Sequence, residues 1–257
     1  MPRFAANLTM MFNEWPFLDR FAAAADAGFT AVEFLFPYDH SPEEIATCLQ
    51  HNKLELALFN LPPGDWAAGE RGLATLPGRQ DEFHLSVQKA LDYALATDAR
   101  SLHMMSGLAP SNSPEAAERY RGALHIATEM ARPHAIDIMI EPLNRRDMPG
   151  YFLNDFGQAA GIIRDLALPN LKLQFDIYHR QILHGDIIRG LQELMPIIGH
   201  IQIASVPDRH EPGTGELDDF RLFEMLDRLG YGGFVGCEYR PAAGTVNGLA
   251  WRAKVST

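Results

Sequence analysis

Short apolar runs alternate with helix-periodic segments along the whole 257-residue chain. The runs are Arg3–Leu8, Ala31–Phe36, Leu54–Asn60, Ser101–Ser106, Ala135–Leu143, Leu171–Tyr178, Gly199–Ala204 and Phe234–Tyr239. Helical stretches fall between them at Pro16–Ala27, Ser41–His51, Arg79–Thr97, Ser113–Arg132, Asp155–Leu166, Gly185–Met195 and Leu217–Leu229, with a short helical tail around Gly248–Ala253. Eight strands, each followed by a helix, imply parallel pairing through crossover connections. About 250 residues is the usual size of a (β/α)8 barrel, and no linker, low-complexity tract or charge block divides this chain. A doubly wound open sheet is the competing architecture, but it favours a glycine-rich turn after the first strand. Asn7-Leu8-Thr9-Met10-Met11 stands there instead. The expectation is a single (β/α)8 TIM barrel over residues 1–257.

Four of the runs in the second half carry an oxygen-bearing side chain near their C-terminal end: Glu141, Asp176, Gln202 and Glu238, at intervals of 35, 26 and 36 residues. Each interval holds one strand, one helix and two loops. Side chains alternate along a strand, so their faces can be read two residues back. Lys172, Gln174 and Asp176 share one face, His200, Gln202 and Ala204 another, and Gly236, Glu238 and Arg240 a third; Asp137, Met139 and Glu141 do the same in the fifth run. The opposite faces are apolar and suit a helical layer. All four residues therefore point inward near the strand C-termini, where barrel enzymes keep their active sites. Inward carboxylates are costly to bury unless a cation compensates them. An all-oxygen set favours one divalent ion, Mg²⁺ or Mn²⁺.

His179, three residues after Asp176, and His103, inward at the end of the fourth run, are candidates for substrate contact. Asn7 and Glu33 also face inward, as site residues or as a polar barrel floor. Asp208-Arg209-His210-Glu211 lies in the loop after the seventh strand, above the expected ion, and His179, Asp208 and His210 leave room for a second metal. His51, His125 and His134 read as solvated; Met10, Met11, Met104 and Met105 read as core or pocket wall.

A net charge of −11 argues against a nucleic-acid partner, whose binding relies on Lys and Arg displacing counterions. Two cysteines, Cys48 and Cys237, make no disulfide framework and point to a reducing compartment. No apolar run approaches the roughly 18 residues of a membrane span, and Met1-Pro2-Arg3-Phe4 leads into a strand. The expected location is cytoplasmic, with no membrane partner; an assembly of identical copies is compatible with all of this.

Asn7–Phe12, Val32-Glu33-Phe34-Leu35-Phe36-Pro37, Leu58-Phe59-Asn60, Glu141-Pro142-Leu143-Asn144, Phe175-Asp176-Ile177-Tyr178-His179, His200-Ile201-Gln202-Ile203-Ala204, Asp208-Arg209-His210-Glu211-Pro212 and Gly236-Cys237-Glu238-Tyr239 together resemble the hydroxypyruvate isomerase family. The resemblance covers nearly the whole chain. That family sits among the xylose-isomerase-like barrels, with sugar epimerases and endonuclease IV. The resemblance implies that Glu141, Asp176, Gln202 and Glu238 bind one divalent ion and that Glu141 and Glu238 are the proton-transferring pair. Many relatives carry His where this chain has Gln202. The implied reaction converts hydroxypyruvate to 2-hydroxy-3-oxopropanoate (tartronate semialdehyde) through an enediolate. The substrate is a small anionic oxo acid, its carboxylate met by Arg209 and an oxygen held by His179. The loop Leu61–Pro77, carrying Trp66, is placed to close over it.

Three other readings stand beside this one. The 2-oxo-tetronate isomerases are closely similar and need only a roomier pocket, and a sugar epimerase of the same fold is a related case. An endonuclease IV-like hydrolase is favoured by Asp176-x-x-His179 and Asp208-Arg209-His210, but the third strand ends on Asn60 where that family carries a histidine ligand. The third is a metal-bound sugar-binding protein without turnover.

Overall fold

The computed structural model describes residues 2–255. Eight parallel strands close into a barrel in sequence order: β1 (Arg3–Asn7), β2 (Ala31–Phe34), β3 (Glu55–Asn60), β4 (Ser101–His103), β5 (Asp137–Ile140), β6 (Leu171–Asp176), β7 (Ile198–Ile203) and β8 (Phe234–Cys237). Closure is made by β1 against β8, with Ala5 beside Gly236 and Ala6 beside Cys237. The helices are α1 (Arg20–Asp26), α2 (Pro42–Asn52), α3 (Gln80–Thr97), α4 (Pro114–Ala131), α5 (Phe156–Leu166), α6 (Ile177–Leu183), α7 (Ile187–Leu194), α8 (Asp219–Arg228) and α9 (Thr245–Gly248). The expected (β/α)8 TIM barrel is the fold observed.

Local chemistry sets the helix starts. Ser41 Oγ accepts from the Glu44 N–H while Glu44 Oε2 accepts from the Ser41 N–H, a capping box with Pro42 at the first helical position. Ser113 caps α4 and Asp155 caps α5 through the N–H groups of Ala116 and Gln158. The apolar strand faces pack outward on these helices: Phe175 meets Phe156 with ring centroids 5.1 Å apart, and Phe34 meets Phe21 at 6.0 Å. That leaves the alternate residues for the barrel interior.

Strand six differs from its sequence reading. The apolar run continues through Ile177 and Tyr178, so periodicity extends the strand to Tyr178, yet the chain turns into α6 at Ile177. Asp176 causes the turn, its Oδ1 accepting from the Tyr178 N–H at 2.8 Å as an N-cap. The expected helix Gly185–Met195 is therefore the second after this strand, and it begins at Ile187, beyond Asp186 in the left-handed region with φ 46°. Strands four, five and eight are shorter than expected, so Glu141 and Glu238 lie one residue past their strands. The first helix begins as a 3-10 turn at Phe17–Asp19.

Candidate active site

Alternation within β1, β2, β6 and β7 directs Asn7, Glu33, Gln174, His200 and Gln202 into the barrel, where all five are buried. They form one polar network around Glu33. Its Oε1 accepts from Asn7 Nδ2 at 3.0 Å and from Gln202 Nε2 at 2.8 Å, and its Oε2 lies 2.7 Å from His200 Nε2. Gln174 Nε2 then donates to Gln202 Oε1 at 2.6 Å. Sequence reading marked Glu33 as an inward residue but gave no sign that it is the centre of this network.

Gln202 belongs to this floor, and Glu141, Asp176 and Glu238 lie above it, all buried. A cavity of about 830 Å³ opens over Glu141, Gln202 and Glu238 and is also lined by Asn7, His103, His179 and Arg209. Glu141 stands between two histidines: its Oε2 is 3.7 Å from His103 Nε2 and its Oε1 is 4.0 Å from His179 Nε2. Asp176 Oδ2 is 3.5 Å from His179 Nε2 and 3.7 Å from Arg209 Nη2. Arg209 binds Glu238 more closely, Nη2 to Oε2 at 2.6 Å, and its guanidinium lies 4.8 Å from the centre of the Tyr178 ring. Arg209 is turned inward by a left-handed backbone, φ 57°, held by hydrogen bonds to Ser205 and Arg240.

Glu141, Asp176 and Glu238 share one guanidinium, so their negative charge is under-compensated. Burial raises all three carboxyls above the ordinary range. Glu238 and Asp176 push Glu141 further, while Arg209 opposes the rise at Asp176 and Glu238. Burial, with His200 adding, holds His103 down at about 3. His179 is also held well below the usual histidine range, by burial first and then by Arg209 and His103. Both rings are neutral at pH 7.

Glu141 Oε1 and Asp176 Oδ2 are buried with no hydrogen-bond partner. Glu141, Asp176 and His179 each offer a donor atom, all within 4.8 Å of one another, a group able to hold a metal ion. Such orphaned anionic oxygens are what a hard cation requires. Gln202 lies beside them, but its carboxamide oxygen accepts from Gln174. Asp208 and His210 stand apart from the group: Asp208 is exposed, and the His210 ring meets the Arg240 carbonyl at 2.7 Å. The rim adds Gly69, Arg71 and Arg146, which no motif announced, to the expected Trp66. Trp66, Gly69 and Arg71 of the loop after β3, together with Arg146 and Tyr178, line the mouth, and the Arg71 guanidinium stacks 3.7 Å from the Trp66 ring centre.

The model of the xylose isomerase-like TIM barrel family matches residues 21–255. The chain belongs to that family. Within this xylose isomerase-like family, it is 53% identical over 253 residues to the 2-oxo-tetronate isomerase of Cupriavidus necator, covering 98% of this chain and 97% of that one. It is 44% identical to the hydroxypyruvate isomerase of Escherichia coli, covering 98% of each. A crystal structure described as AP endonuclease, family 2, from Brucella melitensis superposes with a TM-score of 0.97 at 50% identity, covering 99% of each chain. The curated relatives are isomerases, and they place this family member among isomerases of the hydroxypyruvate isomerase-like kind. Among the described residues, no helix is long and apolar enough to cross a membrane.

Proposed function

We propose that the chain is a metal-dependent isomerase that moves a carbonyl between adjacent carbons of a short 2-oxo acid, with hydroxypyruvate and 2-hydroxy-3-oxopropanoate as the three-carbon pair. One observation carries this reading. Glu141 and Glu238 line the same cavity with Asp176 buried beside them; Glu141 and Asp176 carry orphaned oxygens, and among the described residues Arg209 is the close countercharge. Glu141, Asp176, Gln202 and Glu238 would hold one Mg²⁺ or Mn²⁺. The ion supplies Lewis-acid stabilisation of negative charge on the substrate oxygens.

The protein's own groups do the remaining work. One of the two glutamates removes the proton α to the carbonyl and the other returns a proton to the neighbouring carbon. His179 donates a hydrogen bond to a substrate oxygen, and neutral His103 supports Glu141 without neutralising it. Asn7 borders the substrate from the floor. Arg209 meets the substrate carboxylate while remaining paired to Glu238. The loop bearing Trp66 and Arg71 excludes water from the mouth.

A second substrate is favoured by a specific observation, the 53% identity to a 2-oxo-tetronate isomerase. A cavity of about 830 Å³ has room for the extra carbon. The deciding experiment assays both 2-oxo acids on one metal-reconstituted preparation. Turnover of the four-carbon acid alone overturns hydroxypyruvate as substrate, and turnover of neither overturns the isomerase reading.

Phosphodiester hydrolysis is disfavoured by Asn60 at the end of β3, by Gln202 in β7 and by the net charge of −11. Chelator-sensitive cleavage of abasic duplex would reinstate it. Cys48 and Cys237 are both free thiols, which supports a reducing, cytoplasmic setting.

A further inference from the structure

Asn144, three residues beyond Glu141, is fully buried, and every polar atom of its side chain is committed. Its Oδ1 accepts from the backbone N–H groups of Arg146 at 3.0 Å and Asp147 at 2.9 Å. Turning the amide round would lose both bonds, so Nδ2 must be the atom on the other side. There it lies 3.1 Å from Asp147 Oδ2 and 2.8 Å from His179 Nδ1. The backbone N–H of Asn144 donates to the same ring nitrogen at 3.1 Å. Two donors therefore face His179 Nδ1.

A neutral imidazole carries one proton, on one nitrogen. On Nδ1 that proton would oppose two N–H groups, whereas an unprotonated Nδ1 accepts from them. The backbone donor cannot be reversed, so this preference survives any choice of side-chain amide orientation. The proton must sit on Nε2, which points toward Asp176 Oδ2 and Glu141 Oε1. A metal-binding histidine has the opposite arrangement: its outer nitrogen donates to a carboxylate or carbonyl, leaving the inner one bare for the ion.

We infer that Asn144 is a positioning residue that fixes His179 as an Nε2–H donor. His179 therefore presents a hydrogen bond to the oxygen bound between the carboxylates and does not ligate a cation, although distance alone groups it with Glu141 and Asp176. The use of that hydrogen bond in turnover rests on the isomerase reading; the tautomer itself does not.

The test is nitrogen NMR on the full chain labelled with ¹⁵N-histidine, the His179 signals being assigned by their loss in His179→Gln. Expected in the wild type are a protonated Nε2 and a bare Nδ1, unchanged by saturating Mg²⁺. A protonated Nδ1, or an Nε2 that loses its proton when Mg²⁺ is added, overturns the inference whether or not any substrate is turned over. In Asn144→Asp a carboxylate oxygen replaces the Nδ2 donor, and a proton should appear on Nδ1 in a substantial fraction of molecules, with kcat lowered about tenfold. Should that variant fold poorly, Asn144→Ser keeps the backbone donor and should retain most of the Nε2–H form. A tautomer identical to the wild type in a folded Asn144→Asp protein would remove Asn144 from this role.

Discussion

Arg209 and Glu238 meet at 2.6 Å through a single nitrogen, Nη2, which also lies 3.7 Å from Asp176 Oδ2. One guanidinium thus restrains carboxylates from two separate strand ends. Removing one partner of a buried pair leaves an uncompensated charge, at a cost of up to about 3–5 kcal/mol. Arg209→Ala should therefore lower the Tm of the metal-free protein by several degrees and raise KM for an anionic substrate at least tenfold. Adding Mg²⁺ should recover much of the lost Tm, because the cation takes over the countercharge. Thermal unfolding with and without Mg²⁺, beside steady-state kinetics, checks this; unchanged Tm and KM would exclude Arg209 from the site.

On the proposed mechanism, Glu141→Gln and Glu238→Gln would each remove a proton carrier and an anionic ligand together. Each should reduce kcat/KM by well over tenfold, a loss greater than about 1.4 kcal/mol of transition-state stabilisation. If either variant keeps more than a tenth of wild-type kcat/KM, its assigned role is wrong. Wild-type protein that binds the oxo acid without turning it over would instead favour a binding protein.

Metal loading should release protons, and the sign follows from the carboxyl shifts. Burial raises Glu141, Asp176 and Glu238 above their unfolded values in the metal-free protein. Between the unfolded and folded pKa values the native state holds more protons than the unfolded state, so metal-free stability falls as pH rises through that window. A cation requires the ionised form, so binding expels those protons. Calorimetric titration with Mn²⁺ near pH 6.5, repeated in two buffers of different ionisation enthalpy, should show net proton release that shrinks as pH rises. Buffer-independent heats would contradict it.

The barrel was legible because each inward polar residue alternates with an outward apolar one, as Gln174 and Asp176 do with Leu173 and Phe175. The inward faces of β6 and β7 were legible for the same reason, and the register brings Asp176 beside Gln202. The Asp176 turn was not, because Ile177 and Tyr178 suit a strand as well as a helix and the capping bond decides between them. The Glu33–His200 contact joins residues 167 positions apart and leaves no periodic trace. The same limit hid the pairing of Arg209 with Glu238. A loop residue's partner depends on where the backbone turns, here through a left-handed arginine.

Gly236 supplies a test of the barrel floor that is independent of turnover. Its neighbour in the barrel interior is the carboxylate of Glu33 on β2, the strand on the other side of β1, and a Cβ at this position would overlap both carboxylate oxygens and the carbon between them. Glu33 has little freedom to withdraw, since Asn7, His200 and Gln202 all hold it. Gly236→Ala should therefore cost about 1–3 kcal/mol, the usual penalty of overpacking a filled interior. In a Glu33→Ala background the overlap is gone, and the same substitution should cost almost nothing. Urea unfolding of the four proteins in this cycle measures the coupling directly. Strictly additive losses would mean that Gly236 is required for some reason other than room for Glu33.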